Sequence, residues 1–239
     1  CCGWDWGFRA DVLYGIDAQK AQAYGNPGGH LRGRGTFDAS LDHGAYGWAI
    51  PQLYGEVAVG DWSLIAGHFF SLSSYETVPA PENFFYSHSY AMFNSEPFTH
   101  TGVLATYRGI DGAEVYMGWT LGWDTGFEQF ASGSSWLGGF RTQLSENVAF
   151  TYISTYGNFG RRDQGGDNSY QQSVVVDVEI TSRLNYVLQS DWLDADNANV
   201  STALMTTPVV RKMTRDALGF QSTIGSYRDR ADSISPLSR

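Results

Sequence analysis

The sequence AEVYMGWTLGWD, residues 113–124, decides the fold class. Large apolar residues at odd positions 115 to 123 alternate with polar or small residues at even positions 114 to 124. This period of two predicts a β-strand, because successive side chains of a strand point to opposite faces. About eleven residues of alternation suit a tilted strand that crosses a bilayer, whereas soluble strands are mostly nearer five or six. Val115, Met117, Trp119, Leu121 and Trp123 are therefore expected to face lipid.

The same alternation recurs along the chain and predicts about nine strands. They cover residues 4–14, 49–59, 62–70, 101–108, 113–124, 136–144, 148–156, 174–180 and 184–192. In the third strand His68 falls on the face of Leu64, which predicts a β-bulge there. Single-chain bacterial barrels use an even number of strands, so nine strands predict a partial barrel.

The predicted connections alternate between short and long. Short turns are expected at 60–61, 109–112, 145–147 and 181–183, and long segments at 15–47, 71–100, 125–135 and 157–172. Short turns on one rim and long loops on the other are typical of outer-membrane barrels, and nothing in a β-sandwich requires this order. The sequence thus predicts an all-β fold, an antiparallel transmembrane β-barrel.

The alternation fades after Asp194. Residues 195–239 carry six of the 15 Lys and Arg residues and end in the polar sequence RDRADSISPLSR. We predict two regions: a barrel domain over residues 3–194, and a C-terminal tail over 195–239 that does not continue the barrel in regular strands.

Charged residues of the predicted strands share the polar face. A charge facing lipid at mid-bilayer costs about 2–4 kcal/mol for Arg or Lys, so this sorting predicts a water-filled lumen. The expected pore-lining residues are Asp5, Arg9, Asp11, Glu56, Arg108, Glu114, Asp124, Arg141, Asp177, Glu179 and Asp191. Eight acids against three arginines predict a preference for cations. The alternative is that acids and arginines pair across strands and leave little net field.

Residues 79–102, PAPENFFYSHSYAMFNSEPFTHTG, have neither strand nor helix periodicity. Three prolines and scattered Ser and Asn predict an ordered loop, and six Phe and Tyr residues require a surface to cover them. We expect this loop to fold inward against the lumen wall and narrow the pore. Glu82, His88, Glu96 and His100 are the expected constriction residues, with histidine making conductance vary between about pH 5 and 8.

The segments NFFYSHSYAMF and EPFTHTG resemble sequences of the OmpL-like β-barrel porins of bacterial outer membranes. The similarity extends to GFRADVLYGIDAQ, AIPQLYGEV, YMGWTLGWDTGFEQF and YVLQSDWLDAD, over roughly residues 3–196. The resemblance implies a channel in outer-membrane lipid for passive diffusion of small hydrophilic solutes. It implies neither catalytic residues nor a cofactor, and it leaves a homo-oligomer open.

Composition and motifs bear on the other classes of protein. A net charge of −10 with two lysines argues against nucleic-acid binding, which depends on Lys and Arg reaching phosphates. Ser87, His88 and the nearby Glu82 and Glu96 include the residue types of a hydrolase triad, but no GxSxG-like turn frames a serine. The five histidines lack the spacing of a metal site. A secreted or surface β-sandwich that binds carbohydrate is the main alternative, and a barrel hydrolase using His88 or His100 is a third.

Overall fold

The protein was analysed as a computed structural model, which describes residues 3–23, 38, 42–83, 85–129, 132–160, 169–182, 184–195, 200–210, 218–219 and 222–228. Side chains are described as far as residue 195, apart from that of Glu82. The strands are β1 Trp4–Gly15, β2 Gly47–Val59, β3 Trp62–Phe70, β4 Thr99–Ile110, β5 Ala113–Trp123, β6 Ser134–Ser145, β7 Val148–Asn158, β8 Ser169–Thr181, β9 Leu184–Asp194, β10 Val200–Val210, β11 Leu218–Gly219 and β12 Ser222–Arg228. Within the described residues, one short helix, α1 Tyr90–Asn94, and two 3-10 turns, Asp17–Lys20 and Ala80–Glu82, lie in the connections.

All strands belong to one antiparallel sheet. Each strand from β1 to β11 pairs with its neighbour in sequence, and β12 also pairs with β10. A single sheet confirms the predicted barrel-type fold and excludes the β-sandwich, which needs two sheets packed face to face. Among the described residues no pairing joins β1 to β12, so this part of the sheet is not closed. An open sheet agrees with a partial barrel.

The nine predicted strands are confirmed, with bounds that differ by a few residues. The largest difference is in β8, which begins at Ser169 rather than residue 174. No helix in the described part of the chain is long and apolar enough to cross a membrane.

The bulge predicted at His68 is wrong. The pairing of β3 is continuous on both sides, with His68 opposite Leu53 on β2 and Thr101 on β4. His68 stays on the face of the exposed Leu64 but is itself fully buried, with Nδ1 2.7 Å from Thr101 Oγ1. The connection after β5 covers it, because Thr101 Oγ1 donates to the Thr125 carbonyl at 2.5 Å and the Phe127 ring lies 6.4 Å away. A polar residue on the outer face is thus shielded by a folded connection.

The expectation that regular strands end at Asp194 is wrong. The backbone of β10 pairs with β9 from Ser201 opposite Leu193 to Val210 opposite Leu184. β12 then pairs with the other side of β10, from Val200 opposite Arg228 to Thr206 opposite Ser222. The sheet therefore extends well into the predicted tail.

An apolar cluster fills part of the inner side of the sheet. Its buried members are Phe69, Leu104, Leu137 and Ile153, from four different strands. Gly118 on β5 lies between Leu104 and Leu137 in register. A Cβ on this glycine would stand 2.4 Å from the Val103 carbonyl oxygen and 3.1 Å from Leu104 Cδ1, so the leucine occupies the space above it. Burial of each large apolar side chain contributes about 1.5–3 kcal/mol, so the cluster fixes this wall.

Trp123 does not face outward as predicted. Val115, Met117 and Trp119 are exposed on the outer face of β5, but Trp123 is fully buried. Between the pairs Gly102–Thr120 and His100–Trp123, one residue of β4 opposes two of β5, which is a bulge that reverses the side-chain phase. Gly122 adopts φ +105° there, a conformation that favours glycine. The Trp123 ring consequently turns inward and stacks on Phe159 at 4.2 Å.

Candidate functional site: the interior of the sheet

From β1 to β9 the connections alternate in length as predicted, with long ones at one rim and short ones at the other. The long connections are residues 16–46, 71–98, 124–133 and 159–168, and the short ones are 60–61, 111–112, 146–147 and 182–183. The interior of the sheet lies between the long-loop rim and the short-turn rim.

Residues 71–98, here the crossing segment, join the neighbouring strands β3 and β4 but contact distant β9. The Tyr75 amide donates to Gln189 Oε1 at 3.2 Å, and Gln189 Nε2 donates to Glu96 Oε1. β9 is five strands from β4 in the sheet, and Gln189 belongs to its buried face. Helix α1, within the crossing segment, also lies against β10 and β12. The segment therefore passes across the inner side of the sheet.

Local hydrogen bonds give the crossing segment a definite fold. Asn83 and Thr77 are joined by three hydrogen bonds. Asn83 Nδ2 donates to the Thr77 carbonyl at 2.7 Å, and Asn83 Oδ1 accepts from the Thr77 amide at 2.8 Å and from Thr77 Oγ1 at 3.3 Å. Ser89 caps α1, since its Oγ accepts the Met92 amide. The segment is thus an ordered element, as its composition predicts.

His88 supports this fold from within. Its Nε2 donates to the carbonyl oxygens of Thr77 and Val78, both at 3.1 Å. Its ring meets Phe93 edge-on at 5.6 Å and lies 6.3 Å from Phe98. The structure therefore places His88 among the segment's own residues, rather than projecting into an aperture as the sequence led us to expect.

Glu96 is the predicted constriction residue that reaches β9. Its side chain is 1% exposed, and Asp191 on β9 is buried to the same degree. Gln189 Nε2 lies 3.1 and 3.0 Å from the two carboxylate oxygens of Asp191. Burial first, and the negative charge of Asp191 second, raise the pKa of Glu96 well above its ordinary value. Asp191 was predicted to line the pore, but the crossing segment covers it.

The remaining two predicted constriction residues lie elsewhere. His100 is in β4 and fully buried, with Nδ1 donating to the Gly122 carbonyl at 3.2 Å and its ring 6.2 Å from Phe69. It therefore supports the β5 bulge rather than an aperture. The backbone of Glu82 ends the Ala80–Glu82 turn, and its side chain is outside the described residues.

Seven predicted pore-lining residues form a charged belt near the short-turn rim. They occupy one face by register, because Gly7 opposes Glu56, Glu114 opposes Arg141, and Asp177 opposes Ala149. The belt consists of Asp5, Glu56, Arg108, Glu114, Arg141, Asp177 and Glu179. With five acids and two arginines, it has a formal charge of 2 − 5 = −3.

One pair in the belt is tightly joined. Arg108 Nε lies 2.9 Å from Glu114 Oε1, and Arg108 also donates to Ser63 Oγ at 3.0 Å. Tyr116 Oη donates to Glu114 Oε2 at 2.5 Å. Half-exposed pairs of this kind contribute little to stability, but they cancel charge locally. The alternative of cross-strand pairing thus holds for Arg108 and Glu114.

A cleft of about 300 Å³ opens in the part of the belt formed by β6 to β9. Arg141, Glu146, Asp177, Glu179 and Asn185 are among the side chains that line it. Arg141 forms no ion pair within 4.0 Å among the described residues. The cleft is open to solvent and carries more negative than positive charge.

Arg9 and Asp11, two further predicted pore-lining residues on β1, form an ion pair farther from the short-turn rim than the charged belt. Arg9 lies 2.9 Å from Asp11, and Gln52 Nε2 donates to Asp11 Oδ2 at 2.6 Å. They lie on the same strand face as Asp5 and are partly exposed. This pair adds no net charge to the wall.

Asp124 is not part of the strand wall, contrary to expectation. It follows β5 with φ 48° and is 8% exposed. Its Oδ1 accepts the amides of Phe98 and Thr99 at 2.8 and 3.1 Å, which fixes the end of the crossing segment. The bulge at Gly122 displaces Asp124 from the phase of Glu114.

Gln189 is the residue that the sequence interpretation missed. It bonds both Tyr75 and Glu96, near the two ends of the crossing segment. Gln189 lies two residues before Asp191 and therefore on the same face of β9. This spacing is the sequence signal that could have identified it. In the described ranges no group of three or more His, Cys, Asp or Glu side chains is placed to hold a metal ion.

Comparisons with known proteins bear on this architecture. The sequence model of a family described as "Putative beta-barrel porin-2, OmpL-like" matches residues 3–218. A search of curated proteins finds no match. A solved structure, the improved crystal structure of Pseudomonas aeruginosa OprD, matches 72% of this chain with 12% identity and a TM-score of 0.42. The match covers 43% of that chain, so the present sequence spans less than half of its length.

Proposed function

Because the chain belongs to the OmpL-like β-barrel porin family, we propose that it forms an outer-membrane channel for passive diffusion of small hydrophilic solutes. Strands β1 to β9 have 9 to 13 residues each, a length that suits tilted strands across a bilayer. Apolar side chains on the outer face, such as Met117 and Trp119, would contact lipid, and the inner face would line the solute path.

The observation that carries this proposal is the path of the crossing segment. A connection between two neighbouring strands would ordinarily stay at their rim, but this one spans the interior to Gln189 on β9. A segment held across the interior leaves only the remaining cross-section for solute. The crossing segment is therefore proposed as the constriction of the channel.

A preference for cations is the finer part of the proposal. The charged belt keeps a formal charge of −3, and its one close pair, Arg108 and Glu114, does not change that sum. A ring of net negative charge with low-dielectric walls raises the local concentration of cations. No catalytic role is proposed, since His88 is held by the Thr77 and Val78 carbonyls. A homo-oligomer stays a prediction.

The test of the constriction is removal of residues 83–94, which include α1, from the protein in planar bilayers. This deletion leaves Tyr75 and Glu96 in the chain but removes the bulk that lies between them. We expect a higher single-channel conductance, because the aperture widens. Circular dichroism and protease resistance equal to those of the wild type would establish that the variant is assembled.

The matched control is removal of Phe127 and Glu128. They belong to the connection that covers His68 on the outer face of the sheet, and both are exposed. We expect this variant to keep the wild-type conductance. Unchanged conductance in an assembled 83–94 deletion would contradict the proposed constriction.

A further inference from the structure

One buried polar contact joins both ends of the crossing segment to the wall. The Gln189 amide group accepts from the Tyr75 amide through Oε1 and donates to Glu96 through Nε2. The same Nε2 is 3.1 and 3.0 Å from the oxygens of Asp191, and 3.4 Å from Ser173 Oγ on β8. Separate points of a segment 28 residues long are therefore held by a single side chain of β9.

Two carboxyl groups surround this one amide. Glu96 and Asp191 both lie against Gln189 Nε2, and both side chains are 1% exposed. Glu96 Oε2 has no hydrogen-bond donor among the described residues. Two buried carboxylates held against one amide group cannot both ionise without a large cost, so a proton on one of them stabilises the contact.

Few other ionisable groups face this contact. Glu76, in the crossing segment, adds a further negative charge and accepts the Ser89 amide at 2.8 Å. Ser74 and Ser173 are the neutral polar neighbours. On β10, Met205 pairs with Gln189 and Ala203 pairs with Asp191. On β12, Thr223 pairs with Met205 and Gly225 pairs with Ala203. None of these four can ionise, so no cation at these positions compensates the second negative charge.

We propose that the contact of Glu96 with Gln189 and Asp191 is a proton-dependent latch. It holds the crossing segment on β9 while the two carboxyl groups share a proton, and it releases the segment when that proton is lost. The effect of release on conductance rests on the proposed channel function, whereas the release itself does not.

The direction of the pH dependence follows from proton binding. Burial and the charge of Asp191 raise the pKa of Glu96, so the seated segment binds a proton that the released, hydrated segment gives up. Rising pH therefore favours release, by at most about tenfold in the equilibrium constant per pH unit for one proton. Falling pH favours the seated segment.

Amide hydrogen exchange tests the latch on the wild-type protein in detergent micelles. Exchange of peptides from residues 71–98 is compared at pH 6 and pH 9, after correction for intrinsic rates, with peptides of β5 as the internal reference. We expect protection at pH 6 and faster corrected exchange at pH 9, with a rise of no more than about tenfold per pH unit because one proton controls the equilibrium. Equal corrected exchange at both pH values would overturn the proposal.

Three variants identify the groups responsible. Glu96→Gln keeps the shape of the side chain but cannot ionise, and Asp191→Asn removes the negative charge of Asp191. In each variant the amides of residues 71–98 are expected to stay protected at pH 9. Glu179→Gln, in the charged belt, is the matched control and should retain the wild-type pH response. If an assembled Glu96→Gln or Asp191→Asn variant loses protection as the wild type does, the latch is wrong. Should one of the two not assemble, the other decides.

Conductance separates this inference from the channel proposal. A wild-type protein without channel activity, but with pH-dependent exchange that Glu96→Gln abolishes, would refute the channel and support the latch. A conducting channel with exchange of residues 71–98 that does not change with pH would overturn the latch and leave the channel intact.

Discussion

Met117 and Ala149 show how single residues distinguish the two faces of the sheet. Met117 lies at the middle of β5 and is 57% exposed on the outer face. Ala149 lies on the inner face of β7, opposite Asp177, and lines the open cleft. A positive charge would meet hydrocarbon at the first position and water with a carboxylate at the second.

We predict that Met117→Arg prevents or weakens membrane assembly, while Ala149→Arg is tolerated. Arg facing lipid at mid-bilayer costs about 2–4 kcal/mol, which is a large part of the stability of a domain. The measurement is folding into lipid vesicles, followed by the shift in electrophoretic mobility between folded and unfolded forms. Equal assembly of the two variants, or the reverse order, would mean that the faces are assigned incorrectly.

Gly118 is not a suitable control for that experiment, although the alternation places it on the inner face. Any side chain there would meet the Val103 carbonyl oxygen at 2.4 Å. Its replacement would therefore disturb strand packing independently of charge. The choice of Ala149 avoids this steric effect.

At the scale of elements, β10 shows that regular pairing needs no strong sequence alternation of its own. Its backbone pairs with β9 on one side and with β11 and β12 on the other. Such a strand has its backbone donors and acceptors satisfied by neighbours on both sides. The neighbouring strands therefore determine its conformation.

We predict that amides of residues 200–210 exchange slowly in detergent, at rates near those of β9. The physical reason is hydrogen bonding on both edges of the strand. Hydrogen exchange with mass spectrometry measures this, and the short turn at 146–147 supplies the reference for fast exchange. Exchange of 200–210 as fast as that turn would contradict the observed pairing.

For the whole molecule, the proposed ion selectivity depends on the distribution of charge along the inner face of the sheet. The paired charges Arg9–Asp11 and Arg108–Glu114 contribute little net field, whereas Asp177 and Glu179 line an open cleft with one arginine. The uncompensated negative charge is thus concentrated at the short-turn rim. Selectivity should depend on this rim more than on the crossing segment.

We predict a reversal potential that favours K⁺ over Cl⁻ across a KCl gradient. The double variant Asp177→Asn/Glu179→Gln should move it toward zero, and Arg141→Gln should increase the cation preference. Both effects should weaken at high salt, because the Debye length falls from about 10 Å at 0.1 M to about 3 Å at 1 M. A reversal potential that neither variant changes would place the selectivity elsewhere.

The strand-based fold, the approximate bounds of nine strands and the alternation of short and long connections could all be predicted from the amino-acid sequence. These features are local, because side-chain alternation and turn residues act within a few positions of the chain. The face of most charged residues follows from the same alternation, as Glu114, Arg141 and Asp177 illustrate. The sorting of charged and apolar residues onto opposite faces can therefore be predicted from the sequence.

The details of the interior depend on tertiary contacts that no sequence pattern predicted. The bulge at Gly122 turned Trp123 inward and moved Asp124 off the wall, and a folded connection buried His68 on the outer face. Gln189 meets Tyr75 and Glu96 across sequence separations of 114 and 93 residues. Contacts of that range depend on the path of the crossing segment over the inner side of the sheet, and no local pattern encodes them. Glu96 and Asp191 lie against the same amide only because that path brings residue 96 to β9.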